Sequence, residues 1–221
     1  MRALIDGDIV AIRTAATAEN EELWIATSRA SSLIDEIITA VKADSVEIWL
    51  SGDTNFRYRV YPEYKASRLG MKRPKWEKEV KQYLSTDWNA NWSVDCEADD
   101  MLGVGSTEDT IICTIDKDLN QIPGLHYNFV KKEIYEVDYL EGMRFFYQQM
   151  LTGDTVDNIK GVSGIGAKKA EKLLSQGETE EEWYDIVRDQ YSCNEEMELN
   201  GQCLWIWRKL NDIWKLKSIE S

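Results

Sequence analysis

At 221 residues the chain has room for one generous domain, or a domain with a smaller appendage, and its nine tryptophans and ten tyrosines supply bulk for a core. A formal net charge of −14 weighs against a nucleic-acid partner when taken alone. No apolar run approaches the roughly 18 residues that cross a membrane, the opening MRALIDGDIV does not read as a secretory signal, and four cysteines without CxxC pairing beside one histidine exclude a zinc pattern. The cysteines read as reduced thiols of an intracellular protein.

RALID (2–6) and SVEIWLSG (45–52) read as short buried strands, separated by a helical stretch from Ile9 to Val41 that includes Leu33, Ile37 and Ile38. Between Arg57 and Lys81 nine bases stand against three acids, so the charge is polarised along the chain. CEADDMLG (96–103) then places Glu97, Asp99 and Asp100 within four residues at an expected helix start. TIICTID (110–116) is a third strand, and LHYNFV (125–130) and EIYEV (133–137) are two more, the last an edge. Past Asp138 the pattern turns helical as far as CLWIWRKLNDIW, where Trp205, Trp207 and Trp214 read as core, and the acid-rich run 178–198 reads as a solvated helical face. The expected fold is therefore α/β, a mostly parallel central sheet flanked by helices over 1–137, followed by a helical subdomain over 138–221.

The acids fall at one kind of place. Asp6 ends the first strand, Asp53 follows the second, and Asp116 and Asp118 follow the third. The carboxyl ends of parallel strands line one crevice, where ligands bind. With Glu97, Asp99 and Asp100 at a helix start, and Asp154 and Asp157 in TGDTVDNIKG, nine carboxylates are placed to converge. Packed carboxylates raise one another's pKa values and demand a cation, and an oxygen-only set suits Mg²⁺ or Mn²⁺ better than zinc. Two such ions are an apparatus for phosphodiester hydrolysis. Any single acid could instead cap a helix, and Asp8 in DGD reads as an N-cap rather than a ligand.

A second motif, GVSGIGAKKAEKLL, carries Gly161, Gly164, Gly166 and Ala167, then Lys168, Lys169 and Lys172. Glycines let backbone approach a phosphate, a helix N-terminus offers free N–H groups, and the lysines add charge. Such a hairpin grips a duplex backbone without reading its sequence, although a glycine-rich turn between two helices is the plainer alternative.

LIDGD, SGDTNFRYRVYPEYKASR, EADDMLG, TIDKDLNQIP and the aspartate–glycine–lysine stretch that ends at Leu174 occur in one order, and together they resemble the flap endonuclease and 5′–3′ exonuclease family, most closely its bacteriophage members. The resemblance implies a PIN-like nuclease domain followed by a helix–three-turn–helix element. It implies a first metal site at Asp6, Asp53, Glu97, Asp99 and Asp116, and a second at Asp100, Asp118, Asp154 and Asp157. Lys65 and Arg68 would contact the scissile phosphate, Tyr64 would either stack on a terminal base or belong to the core, and Arg57 matches a DNA-binding position of unassigned role.

By the same resemblance the cofactors are two Mg²⁺ or Mn²⁺ ions, with a monovalent cation allowed at the hairpin. The partner is DNA at 5′ ends, nicks and flaps, or an RNA–DNA hybrid, with no membrane and no oligomeric state fixed. The setting is DNA replication and repair in the cytoplasm, that of the host for a phage-encoded chain. The short span between Arg68 and Glu97 predicts a short helical arch and puts threading of long flaps in doubt. A PIN-type ribonuclease would not need the glycine hairpin, and a non-catalytic DNA-binding protein would have no use for nine converging acids.

Overall fold

The structure is a computed structural model that describes residues 1–217. Strand β1 (Arg2–Asp6) passes straight into helix α1 (Gly7–Thr17), followed by α2 (Leu23–Val41) and β2 (Ser45–Leu50). The expected helical stretch Ile9–Val41 is thus two helices, broken over 18–22. One continuous helix of that length would run about 50 Å at 1.5 Å per residue, far beyond the reach of strands about 17–20 Å long, so the chain must fold back to cover the sheet.

Next come α3 (Arg57–Val60), a 3₁₀ turn (Ala66–Arg68), α4 (Glu77–Asp87), β3 (Asn91–Trp92), α5 (Ala98–Gly105) and β4 (Thr110–Cys113). A second 3₁₀ turn (Lys117–Gln121) leads to β5 (Gly124–Asn128), β6 (Glu133–Val137) and α6 (Tyr139–Thr152). The two-residue strands β7 (Gly153–Asp154) and β8 (Ile159–Lys160) precede α7 (Ala167–Leu174), α8 (Glu180–Arg188) and α9 (Asn194–Leu204).

The six strands order as β3-β2-β1-β4-β5-β6. All neighbours are parallel except β6, which lies antiparallel on β5 as the edge. Side chains alternate across the sheet with period two. Ala3 and Ile5 face a core with α1, α2 and α4, while Leu4 and Ile112 face Leu102 of α5 together with Leu119, Ile122 and Ile206. Because β1 has β2 on one side and β4 on the other, the chain changes direction across the sheet at the β1–β4 junction, and this opens a crevice at the carboxyl ends.

Helices α6 to α9 build a further core around Phe146, Tyr147, Trp183 and Met197, and Phe56, Tyr64 and Cys96 from before residue 138 belong to it as well. The C-terminal tryptophan segment departs from expectation. Helix α9 stops at Leu204, and residues 205–217 continue without helix or strand. Trp205 and Trp207 are nevertheless buried, as expected for core residues. This strap approaches α5 so closely that a Cβ on Gly103 would lie 2.3 Å from the Trp207 carbonyl oxygen, and only glycine fits there.

Candidate active site

The carboxyl end of β1 presents Asp6, which is 2% exposed. One oxygen accepts the Ile9 N–H at 3.0 Å, making Asp6 the N-cap of α1, and the other accepts the Thr114 hydroxyl at 2.7 Å. The cap role expected of Asp8 therefore belongs to Asp6. Asp8, within the first turn of α1, accepts the Ser51 N–H and pairs with Lys81 at 2.8 Å. Burial, then the charge of Asp8, then that of Asp116, push Asp6 up to about 7.

Asp53 stands exposed beyond β2. Beyond β4, Asp116 accepts the Asp118 N–H at 2.9 Å and so caps the second 3₁₀ turn. Asp118 is oriented by the Gln149 amide, which donates to it at 2.8 Å from α6. Burial and the charges of Asp116 and Asp154 push Asp118 up to about 7. Asp154, at the end of β7, accepts the Val156 N–H at 2.7 Å and thereby turns the chain so that Asp157 faces back toward Glu97.

Glu97 is the residue that opens α5. The Tyr64 hydroxyl lies 3.0 Å from an oxygen of Glu97 and 3.0 Å from one of Asp157, donating to one of them at a time. Lys65 pairs with Glu97 and reaches Asp157 at 3.8 Å, while Arg68 pairs with the other Asp157 oxygen. Burial alone would raise Glu97, but Lys65 and Arg57 overrule it and hold it below the usual carboxylate range. Burial raises Asp157 in spite of Lys65 and Arg68. Lys65 sits at φ 57° in the left-handed region, a strained choice for a side chain of this size. Its N–H to the Asp157 carbonyl at 2.9 Å and its two carboxylate partners hold it there.

Asp99 turns into the same crevice, where burial and then Asp6, Asp116 and Glu97 raise it well above an ordinary aspartate. Asp6, Asp53, Glu97, Asp99 and Asp116 all line one open cleft of about 1230 Å³, together with Lys65, Arg68, Asp118 and Asp157. A smaller pocket of about 30 Å³ adjoins it, lined by Glu97, Asp99, Asp118, Asp154 and Asp157. Among the described residues no three carboxylates close into a finished ligand shell. Burial first, and then the charge of neighbouring carboxylates, raises Asp6, Asp99 and Asp118, and an oxygen-only donor set of this kind fits hard divalent ions.

Asp100 departs from the expectation of a second-site ligand. It is wholly buried and faces away from both pockets. Its oxygens take the Arg57 guanidinium in a two-pronged pair at 2.6 and 2.9 Å, and they also accept the N–H groups of Glu97 and Trp207. Successive helix positions differ by about 100°, so when Asp99 faces the crevice Asp100 must face the interior. Arg57 departs likewise from a DNA-binding role. It is buried, and its remaining N–H groups donate to the carbonyls of Cys203 at 2.9 Å and Trp205 at 2.7 Å. Tyr64 is 3% exposed with its hydroxyl engaged, so it belongs to the core and does not present a face for stacking.

At the hairpin, Gly164 has φ 74°, which favours glycine, and Gly166 caps α7. Gly164, Gly166, Ala167, Lys168, Lys169 and Lys172 are all exposed, while Ile165 anchors the loop in the core. A Cβ on Gly164 or Gly166 would meet no atom within 4 Å, so this backbone is open to an incoming group. Gly161 differs. It packs against the backbone of Leu151 to Gly153, and a Cβ there would clash at 2.3 Å.

Sequence reasoning overlooked Thr114 and Gln149, neutral residues that orient Asp6 and Asp118. It also assigned no role to Arg73, Lys75, Lys78 and Lys81, which line the same cleft as the acids. Their signal was present in the basic block, but the helix that carries Lys78 and Lys81 was not recognised. The expected short arch is a loop over 69–76 leading into α4, whose Val80 and Leu84 are buried in the sheet's core.

No family model matches the chain. A flap endonuclease, Xni, of Shewanella baltica (strain OS185) is 25% identical over 190 residues, covering 77% of this chain and 72% of its own. The thermostable DNA polymerase I of Thermus thermophilus is 27% identical over an alignment of 237 residues, covering 95% of this chain and 28% of the polymerase. Among solved structures, a flap endonuclease of bacteriophage T5 in complex with DNA and metal ions superposes with a TM-score of 0.71 at 18% identity, covering 90% of this chain and 86% of that one. At that identity the superposition establishes the PIN-like fold.

Proposed function

We infer that this chain is a nuclease of the flap endonuclease and 5′–3′ exonuclease family, a metal-dependent enzyme that hydrolyses phosphodiester bonds in structured DNA. The observation that carries the reading is the gathering of strand-end carboxylates in one crevice, with Lys65 and Arg68 among them. Flap endonuclease and polymerase relatives of similar sequence support it.

In this reading two Mg²⁺ or Mn²⁺ ions are held by Asp6, Asp53, Glu97, Asp99 and Asp116 in the larger cleft, and by Asp118, Asp154 and Asp157 at the smaller pocket. When bound, such ions supply Lewis acidity and a nucleophile at neutral pH. Lys65 and Arg68 exchange carboxylate partners for the phosphate as its charge develops, which stabilises the transition state. Tyr64 holds Glu97 and Asp157 in register, Thr114 orients Asp6, and Gln149 orients Asp118. The exposed backbone from Gly164 to Ala167 and the lysines that follow grip the duplex through its phosphates. RNA strands of RNA–DNA hybrids, a monovalent cation at the hairpin, and a role in replication and repair belong to the same proposal.

The experiment compares blunt, nicked and 5′-flapped duplexes, a hybrid and single-stranded RNA, each labelled at either end, in Mg²⁺ and in EDTA. Cleavage that starts from the 5′ side of DNA, requires the metal and is lost in Asp116→Asn is the expected result. Cleavage of RNA alone would indicate a PIN-type ribonuclease, and binding without cleavage a non-catalytic protein.

A further inference from the structure

With Tyr64 committed to the core, another part of the cleft offers aromatic surface. Tyr58 of α3 is 47% exposed and lines the cleft. Its ring packs edge-on against Tyr64 at 5.7 Å between centroids, and the Tyr64 hydroxyl touches Glu97 and Asp157. The exposed ring is therefore one aromatic layer removed from the acid cluster. Trp92, at the end of β3, is 40% exposed and lines the same cleft.

Both rings are held in place. The Trp92 indole N–H donates to the Ser85 hydroxyl of α4 at 3.0 Å. The segment after Trp92 is fastened to the start of α3, because the Phe56 N–H donates to the Asp95 carbonyl at 3.1 Å and Arg59 grips the Asp95 carboxylate at 2.5 and 2.6 Å. Exposed Val94 and Leu69 line the same cleft.

We propose that Tyr58 and Trp92 form a stacking platform for an unpaired nucleobase of the DNA strand, and that this platform sets the preference for substrates with unpaired 5′ nucleotides. The proposal rests on the nuclease reading of the cleft. Two exposed aromatic rings in a cleft lined by carboxylates and also by Arg73, Lys75 and Lys78 match a ligand that alternates planar bases with phosphates. An apolar peptide would bury the charges that line the cleft. Stacking on aromatic side chains tolerates any base, and Tyr and Trp lose little conformational freedom when they bind.

The test uses a duplex with one unpaired 5′ 2-aminopurine nucleotide, bound in EDTA so that binding is read without metal-dependent cleavage, with a blunt duplex alongside. Wild-type protein should change the 2-aminopurine emission on binding. Tyr58→Ala and Trp92→Ala should each abolish that change and weaken affinity for the tailed duplex about tenfold, a factor in the range of one lost base stack. Blunt-duplex affinity should stay at wild-type values, and Tyr58→Phe should behave as wild type. An unchanged emission response and affinity in Tyr58→Ala would overturn the proposal. A wild type that shows the response but cleaves no DNA in Mg²⁺ would overturn the nuclease reading while supporting the platform. A wild type that cleaves, with Tyr58→Ala unchanged in both assays, would overturn the platform alone.

Discussion

Replacing Asp100 by asparagine keeps the shape of the side chain and removes its charge, leaving the Arg57 guanidinium buried without a counterion. Both side chains are at most 3% exposed, so solvent screens little of the loss. Breaking a buried ion pair by removing one partner costs about 3–5 kcal/mol. Asp100 also accepts two backbone N–H groups, and Arg57 holds the carbonyls of Cys203 and Trp205, so the loss reaches beyond the pair itself. For a chain of this length each kcal/mol moves the melting temperature by about 2–4 °C, so Asp100→Asn should lower it by about 6–20 °C in EDTA. Asp116→Asn, which removes one of several mutually repelling carboxylates, should leave the melting temperature in EDTA unchanged or raised. The double variant Arg57→Met/Asp100→Leu should recover much of the loss, since apolar side chains of similar volume replace such pairs at little cost. If Asp100→Asn melted like wild type in EDTA and instead lost divalent-metal affinity, Asp100 would be a ligand and its assignment as the structural anchor of the C-terminal strap would be wrong.

The raised carboxylates make a pH prediction. Asp118 titrates near 7 in the folded protein against 3.8 as a free side chain, so the folded state takes up a proton over that interval. The stability linked to this group is present below about pH 4 and is lost as pH rises through 7. In EDTA, Asp118→Asn should therefore be more stable than wild type at pH 8, with the gap narrowing to about half by pH 5.5, as read from paired melting curves. A gap that stays constant across this range would refute the assignment. Because Asp6 and Asp118 must lose protons to bind an ion, apparent Mg²⁺ affinity should rise between pH 6 and 8 in a calorimetric titration. At the hairpin, a Cβ on Gly166 meets no protein atom. Gly166→Ala should accordingly leave the melting temperature unchanged while weakening duplex binding in an anisotropy titration. Unchanged duplex affinity would remove this backbone from the DNA interface.

Much of the site is legible because strand ends are legible. Asp6, Asp53 and Asp116 each follow an apolar run, and parallel topology alone brings such positions to one edge. The division within EADD is not legible, because it depends on which face of α5 meets the crevice. That is decided by Arg57, 43 residues away, and by a strap that arrives more than a hundred residues later. Tyr64 shows the same limit, since adjacent positions do not reveal which ring is covered, and Tyr58 holds the exposed place. Helix α4 is obscured by its charge, with only Val80 and Leu84 fully buried among its apolar side chains. The apolar spacing of CLWIWRKLNDIW reads as helix, yet the N–H groups of Ile206 and Trp207 donate to Gln121 and Asp100, and the carbonyls of Leu204 and Trp205 accept from Gln121 and Arg57.

The most direct measurement is the time course of a 5′-flapped duplex, labelled at its 5′ end, with wild type and Asp116→Asn in Mg²⁺ and in EDTA. Asp116 lines the cleft, and its charge raises both Asp6 and Asp99. Release of short 5′ products by wild type in Mg²⁺ alone, and by neither protein in EDTA nor by Asp116→Asn in Mg²⁺, is the expected result. Cleavage at equal rates in EDTA, or by the Asp116→Asn protein, would contradict the assignment of these carboxylates to a metal-dependent nuclease.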